Sequence, residues 1–187
     1  AMAMPMAWSQ NSIFLAPVKD ATTVTAPSTF GGESKDAKHV GWTTIESVSF
    51  GFDNTAAESS ARAGGGAGAG KASAKTITIY KPLDGSSTYF MSQVVTGAPI
   101  PTMCIDMVRN TGNVSAGKTG SASFQNIVLT DARVAGYKQS IGTNGIPTEE
   151  ITLSYVKIEV NYTPADTKPG TPAQYKIPSI NLKVFFI

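Results

Sequence analysis

Cysteine and histidine are almost missing from this chain: its 187 residues include one of each, Cys104 and His39. One cysteine excludes an intramolecular disulfide. It lies in the apolar segment Met103-Cys104-Ile105-Asp106-Met107. There it reads as a small buried hydrophobe, because a nucleophilic thiol needs a basic partner and His39 is far away in sequence. One histidine, even with Glu33 and Asp36 nearby, is a thin set of metal ligands. Charge is scarce too, at 15% of residues with a net charge of +2. The lysines are scattered and no basic stripe with interleaved aromatics is present, which argues against nucleic acid as a partner. No hydrophobic run has the length that a bilayer demands, so no membrane span is expected. The length suits one well-buried domain.

Catalytic motifs are missing as well. Asp106, Asp131, Glu149, Glu150 and Glu159 have no evident acid/base partner, and such strand-face charges are expected to meet solvent or a subunit neighbour. No serine sits in a nucleophile elbow. The run from Gly65 to Gly70-Lys71 approaches a phosphate loop, but Ala72 stands where the metal-binding hydroxyl belongs, Ser73 comes one place late, and a strand pattern follows. Asn113-Val114-Ser115 and Asn161-Tyr162-Thr163 match glycosylation sequons, which occur often by chance. The chain reads as a non-enzyme that needs no cofactor and no metal.

What is present is period-two alternation. Trp42, Val48, Phe50 and Phe52 share one parity; Lys75, Ile77 and Ile79 alternate with Thr76, Thr78 and Tyr80; Met103, Ile105 and Met107 continue the pattern. Further strands are expected over residues 12–17, 122–130, 133–137 and 150–162, punctuated by Gly112-Asn113, Thr143-Asn144-Gly145 and Thr163-Pro164. One segment is helical. Asp84-Gly85-Ser86-Ser87 offers N-cap chemistry, Phe90 and Val94 stand one turn apart, and Gly97 occupies the C′ position, which predicts a short helix over residues 84–97. The fold class is mainly β, with about eight or nine strands and one flanking helix.

The polar stretch Gly31-Gly32-Glu33-Ser34-Lys35-Asp36-Ala37-Lys38-His39 leads through Val40-Gly41 into the strand pattern of residues 42–52. It closely resembles the "GES-DAKH" loop of the Hcp (haemolysin-coregulated protein) family, with Gly32, Glu33, Ser34, Asp36, Ala37, Lys38 and His39 as the matching residues. The likeness continues in order along the chain. Ser12-Ile13-Phe14-Leu15 resembles the family's first strand and residues 45–51 its second. Residues 66–73 resemble the Gly-rich segment of one subgroup, and Lys81 with Asp84-Gly85-Ser86-Ser87 the start of the helix. Residues 148–164 resemble the late strand. The resemblance covers residues 12–164. It implies a closed β-barrel with one flanking helix, six copies to a ring, and rings stacked into the hollow inner tube of a type VI secretion system, with effectors in its lumen. The implied partners are copies of itself, secreted effectors and other parts of the apparatus. The implied location is secreted, or cytoplasmic before the tube assembles and fires.

The ends depart from that pattern, so the chain divides into an arm (1–12), the barrel domain (13–164) and an extension (165–187). Ala1-Met2-Ala3 suits a cloning scar or the remnant of a cleaved signal, while Trp8 and the methionines suit an arm packed on a neighbour. In the extension Ile180, Leu182, Val184 and Phe186 alternate as a strand. Phe185, Phe186 and Ile187 call for cover, since burying such side chains is worth about 1.5–3 kcal/mol each. That strand belongs to the same barrel or is donated to the next subunit, which would build an extracellular filament. Gly64, Gly66, Gly68, Gly70 and Lys71 are expected to touch the next ring. The rival class is a secreted β-sandwich that binds glycans or surfaces, which exposed aromatic platforms would favour.

Overall fold

The computed structural model describes residues 11–19, 25–54, 72–110, 121–143, 145–164, 175–176 and 180–181. Its elements are β1 (Ser12–Pro17), a 3-10 turn (Ser28–Phe30), β2 (Thr43–Ile45), β3 (Ser47–Ser49), β4 (Phe52–Asn54), β5 (Ala72–Ala74), β6 (Ile77–Pro82), α1 (Ser87–Thr96), β7 (Ile100–Asn110), β8 (Ser121–Ile141), β9 (Pro147–Ser154), β10 (Lys157–Tyr162), β11 (Tyr175–Lys176) and β12 (Ile180–Asn181). The strands hydrogen-bond in the order β2-β1-β7-β8-β9-β6-β3, and β10 lies on β8 with β11 and β12 on its other edge. β4 and β5 form a separate two-stranded ribbon.

Alternation explains the strands. On β6 the inward positions are Ile77, Ile79 and Lys81; on β9 they are Glu149, Ile151 and Leu153. These two strands pair so that Ile79 faces Ile151 and Lys81 faces Glu149. The core continues through Leu15, Phe30, Trp42, Phe90, Ile105, Ile127 and Leu129, all essentially inaccessible. The helix begins at Ser87, three residues after Asp84, and ends where expected. Gly97 adopts a left-handed conformation (φ 64°) and its N–H donates to the Gln93 carbonyl at 2.9 Å.

Residues 122–130 and 133–137 join into the single strand β8. Its first half pairs with β7 and β10 and its second half with β9. The change of partner coincides with Asp131 at φ 49° and with a register shift between Val134 and Gly136, the irregularities by which a sheet turns a corner. Residues 42–52 and 150–162, expected as single strands, are broken. β2 pairs with β1 and β3 with β6, and Glu46 between them donates its N–H to the Tyr80 carbonyl at 2.8 Å. β9 and β10 are separated at Tyr155-Val156, where Tyr155 Oη donates to the Lys75 carbonyl at 2.8 Å.

The closed barrel is not what the ladder forms. Its two ends, β2 and β3, make no strand pair with each other. They are consecutive pieces of one bent chain with only Glu46 between them, and there Glu46 bonds to β6 in place of a ladder between β2 and β3. Along the C-terminal extension, Tyr175 pairs with Tyr162 and Lys176 with Asn161, then Ile180 with Ile158 and Asn181 with Lys157. Both described pieces therefore lie on β10 of the same chain.

Candidate functional site

Residues 31–42 and the turn before α1 are packed so closely that side chains are excluded at three positions. A Cβ on Gly32 would sit 2.3 Å from the Gly41 carbonyl oxygen and one on Gly85 2.4 Å from that of Gly31. Gly31 is left-handed at φ 77° and its Cβ would sit 2.8 Å from the Gly85 carbonyl oxygen. The loop folds back on itself: Ser34 N–H donates to the Trp42 carbonyl at 2.8 Å and Gly41 N–H to the Ser34 carbonyl at 3.0 Å. Glu33 accepts the Gly85 N–H at 3.0 Å, which joins the loop to the start of α1.

Beneath the loop lies a first buried polar cluster. His39 is 2% exposed, stacked on Phe14 with centroids 4.3 Å apart and edge-on to Trp42 at 5.0 Å. Its Nδ1 is 2.7 Å from Asp36 Oδ1 and its Nε2 is 2.7 Å from Asp106 Oδ2. The Ser123 hydroxyl donates to the other Asp106 oxygen. Burial works against a charged ring, but the hydrogen bonds and charges of Asp106 and Asp36 outweigh it and raise the His39 pKa. Burial likewise pushes the Asp36 carboxyl up, and the bonds from His39 and the Lys38 N–H more than offset it, leaving its pKa below the usual range.

A second cluster ties α1 to β6 and β9. Lys81 Nζ, fully buried, donates to Glu149 Oε2 at 2.8 Å, Asp84 Oδ1 at 2.9 Å, the Pro82 carbonyl at 2.9 Å and Ser87 Oγ at 3.3 Å. The Tyr137 hydroxyl donates to Glu149 Oε1 at 2.7 Å. Burial first, and then the bond to Glu149, push that phenol far above its ordinary pKa. Asp84 also accepts from the Ser86 N–H at 2.9 Å and from the Ser86 and Thr43 hydroxyls. Burial raises the Asp84 carboxyl, but these bonds and Lys81 outweigh it and lower its pKa. Every charged member of both clusters is hydrogen-bonded and turned inward, which suits clamps between elements rather than groups that meet a substrate.

A sequence model of the family described as "Type VI secretion system effector, Hcp" matches residues 18–162. The chain belongs to the Hcp family. No curated protein sequence matches it. Among solved structures, "a type six secretion system protein" is 24% identical, with TM-score 0.69 over 91% of this chain and 93% of that one. Hcp1 from Salmonella typhimurium is 16% identical, with TM-score 0.60 over 89% and 91%. The secreted protein Hcp3 from Pseudomonas aeruginosa is 15% identical, with TM-score 0.58 over 90% and 97%. At these identities the likeness shows an Hcp-like fold. Membership of the family places the chain among the structural proteins of type VI secretion.

The residues that match the Hcp signature loop divide by role. Gly32 makes the close approach, Glu33 reaches α1, and the Ser34 hydroxyl accepts the Asp36 N–H at 3.2 Å. Asp36 holds His39, while Ala37 and Lys38 face outward. Glu33 and Asp36 thus go to different partners, and among the described residues no group of three or more histidine, cysteine or acidic side chains could hold a metal. A Cys104–His39 dyad does not form: both ring nitrogens are occupied by carboxylates, and Cys104 Sγ lies 3.0 Å from Asn126 Nδ2. Burial pushes that thiol up to about 11.

One expectation needs correction. Asp106 and Glu149 do not meet solvent; they are 9% and 1% exposed and anchor the two clusters. Lys81 holds the helix start through Asp84 and Ser87; it also shares the inward parity of Ile77 and Ile79, and Glu149 shares that of Ile151 and Leu153. A cation and a carboxylate at inward positions of two strands are the signal that finds this pair. Trp42 is buried and Phe50 and Phe52 are half-buried against each other, so they make no exposed aromatic platform. Trp8, Gly64, Gly66, Gly68, Gly70, Lys71, Phe185, Phe186 and Ile187 lie outside the described residues. Among the described residues no helix is long and apolar enough to cross a membrane.

Proposed function

We propose that this chain is a self-assembling structural subunit: six copies close into a ring, and rings stack into a hollow tube whose lumen carries effectors during type VI secretion. The observation that carries this reading is the family match over residues 18–162, which takes in every strand of the ladder except β1, β11 and β12. Two features support it. The ladder ends at two short strands, β2 and β3, which pair with no strand of the same chain beyond β1 and β6 among the described residues and suit pairing with neighbouring subunits. Leu83, Ile141 and Ile146 stand exposed around Pro147, to which Ile141 pairs and Leu83 donates its N–H, an apolar rim that another copy would cover.

In this reading Gly64, Gly66, Gly68, Gly70 and Lys71 touch the next ring, and Trp8, Phe185, Phe186 and Ile187 seal contacts between subunits. Deleting residues 64–69 tests the stacking contact. Electron micrographs of the variant should show separate rings; tubes of undiminished length would rule that contact out. A second reading, an exported filament joined through the terminal extensions, draws on the edge of β10. That edge accepts Tyr175–Lys176 and Ile180–Asn181 from its own chain, and the same antiparallel pairing from another copy would link subunits.

A further inference from the structure

A neutral imidazole has one N–H and one lone pair, so it is satisfied by one acceptor and one donor. His39 has two acceptors instead: Asp36 Oδ1 and Asp106 Oδ2, each 2.7 Å from a ring nitrogen. Neither carboxylate is free to turn away. Asp36 Oδ1 also accepts the Lys38 N–H at 2.9 Å, and the other Asp106 oxygen holds the Ser123 hydroxyl. With the ring 2% exposed between Phe14 and Trp42, the only form that satisfies both contacts is the imidazolium. Losing one proton sets a nitrogen lone pair against a carboxylate oxygen in a sealed site.

Among the described residues, the groups shown against the ring are acidic, neutral or aromatic. The loop contributes Asp36, and its Lys38 side chain faces outward. β7 contributes Asp106 and the neutral thiol of Cys104, β8 contributes Ser123 and Asn126, and β1 contributes Phe14. The Nε2–Asp106 bond spans from the loop to β7, from residue 39 to residue 106, while the Nδ1–Asp36 bond fixes the ring within the loop. We propose that His39 is a pH-operated latch: its imidazolium fastens residues 34–41 to β7, and release of one proton to solvent lets the loop open. The loop carries Ala37, Lys38 and Val40 on its outer side, Val40 at 63% exposure, so the latch decides whether that surface keeps one shape.

The chain has one histidine, so a sample labelled with 13C at histidine Cε1 gives one signal to titrate. The expected midpoint lies above the ordinary histidine value of about 6.5. Across the same range the Ser34 and Gly41 amides should lose hydrogen-exchange protection, by about tenfold for each pKa unit by which the ring is raised. Asp36→Asn should move the midpoint down. A ring that titrates at or below the ordinary value, or one that titrates while both amides keep their protection, would overturn the latch.

Discussion

Lys81 is the side chain on which most depends at the scale of single residues. Replacing it with alanine removes the cation between Glu149 and Asp84 and leaves both carboxylates buried, a change that costs about 3–5 kcal/mol. The urea midpoint of Lys81→Ala should fall accordingly, and adding Glu149→Leu should recover part of the loss. Gly32→Ala should cost about 1–3 kcal/mol, because backbone must move to admit the new carbon. Gly51→Ala, whose Cβ would meet only the Lys75 side chain at 3.8 Å, should stay within about 0.5 kcal/mol of the parent. Half of this was readable from the chain itself. Asp36 and His39 are three residues apart and the glycine pair announces a tight loop, but Asp106 lies 67 positions from His39. Only the register that brings β1 against β7 places Asp106 under the ring.

At the scale of elements, the loop and the start of α1 should respond to pH in two opposite ways. Asp36 and Asp84 have lowered values, so the stability they confer is present above the ordinary carboxylate value of about 3.9 and is lost as pH falls below it. His39 has a raised value, so its contribution is complete below about 6.5 and is lost as pH rises through the higher folded value. Denaturation midpoints should therefore be highest between these limits, and His39→Phe should flatten the alkaline decline. β8 offers another test at Asp131, held at φ 49°. Asp131→Val should destabilise by about 1–2 kcal/mol and Asp131→Gly should not, because a β-branched side chain resists the left-handed region. The helix was legible because Gly97 and its spacing from Phe90 are local signals. The breaks between β2 and β3 and between β9 and β10 were not, since both follow from a change of partner strand that alternation cannot encode.

For the whole molecule, the order of the motifs along residues 12–164 was more telling than any one of them, and the family match over residues 18–162 bears out the Hcp likeness. What the order could not convey is how the sheet ends. β2 and β3 are one residue apart in sequence and stand at opposite ends of the hydrogen-bonded ladder. These short end strands and the apolar rim of Leu83, Ile141 and Ile146 are surfaces that a ring of identical subunits would cover. The central claim is therefore assembly. Negative-stain electron microscopy of the purified, unaltered chain tests it most directly: rings of uniform diameter with a central hole, alone or stacked into tubes, are the predicted result, and single monomers at every protein concentration would contradict it.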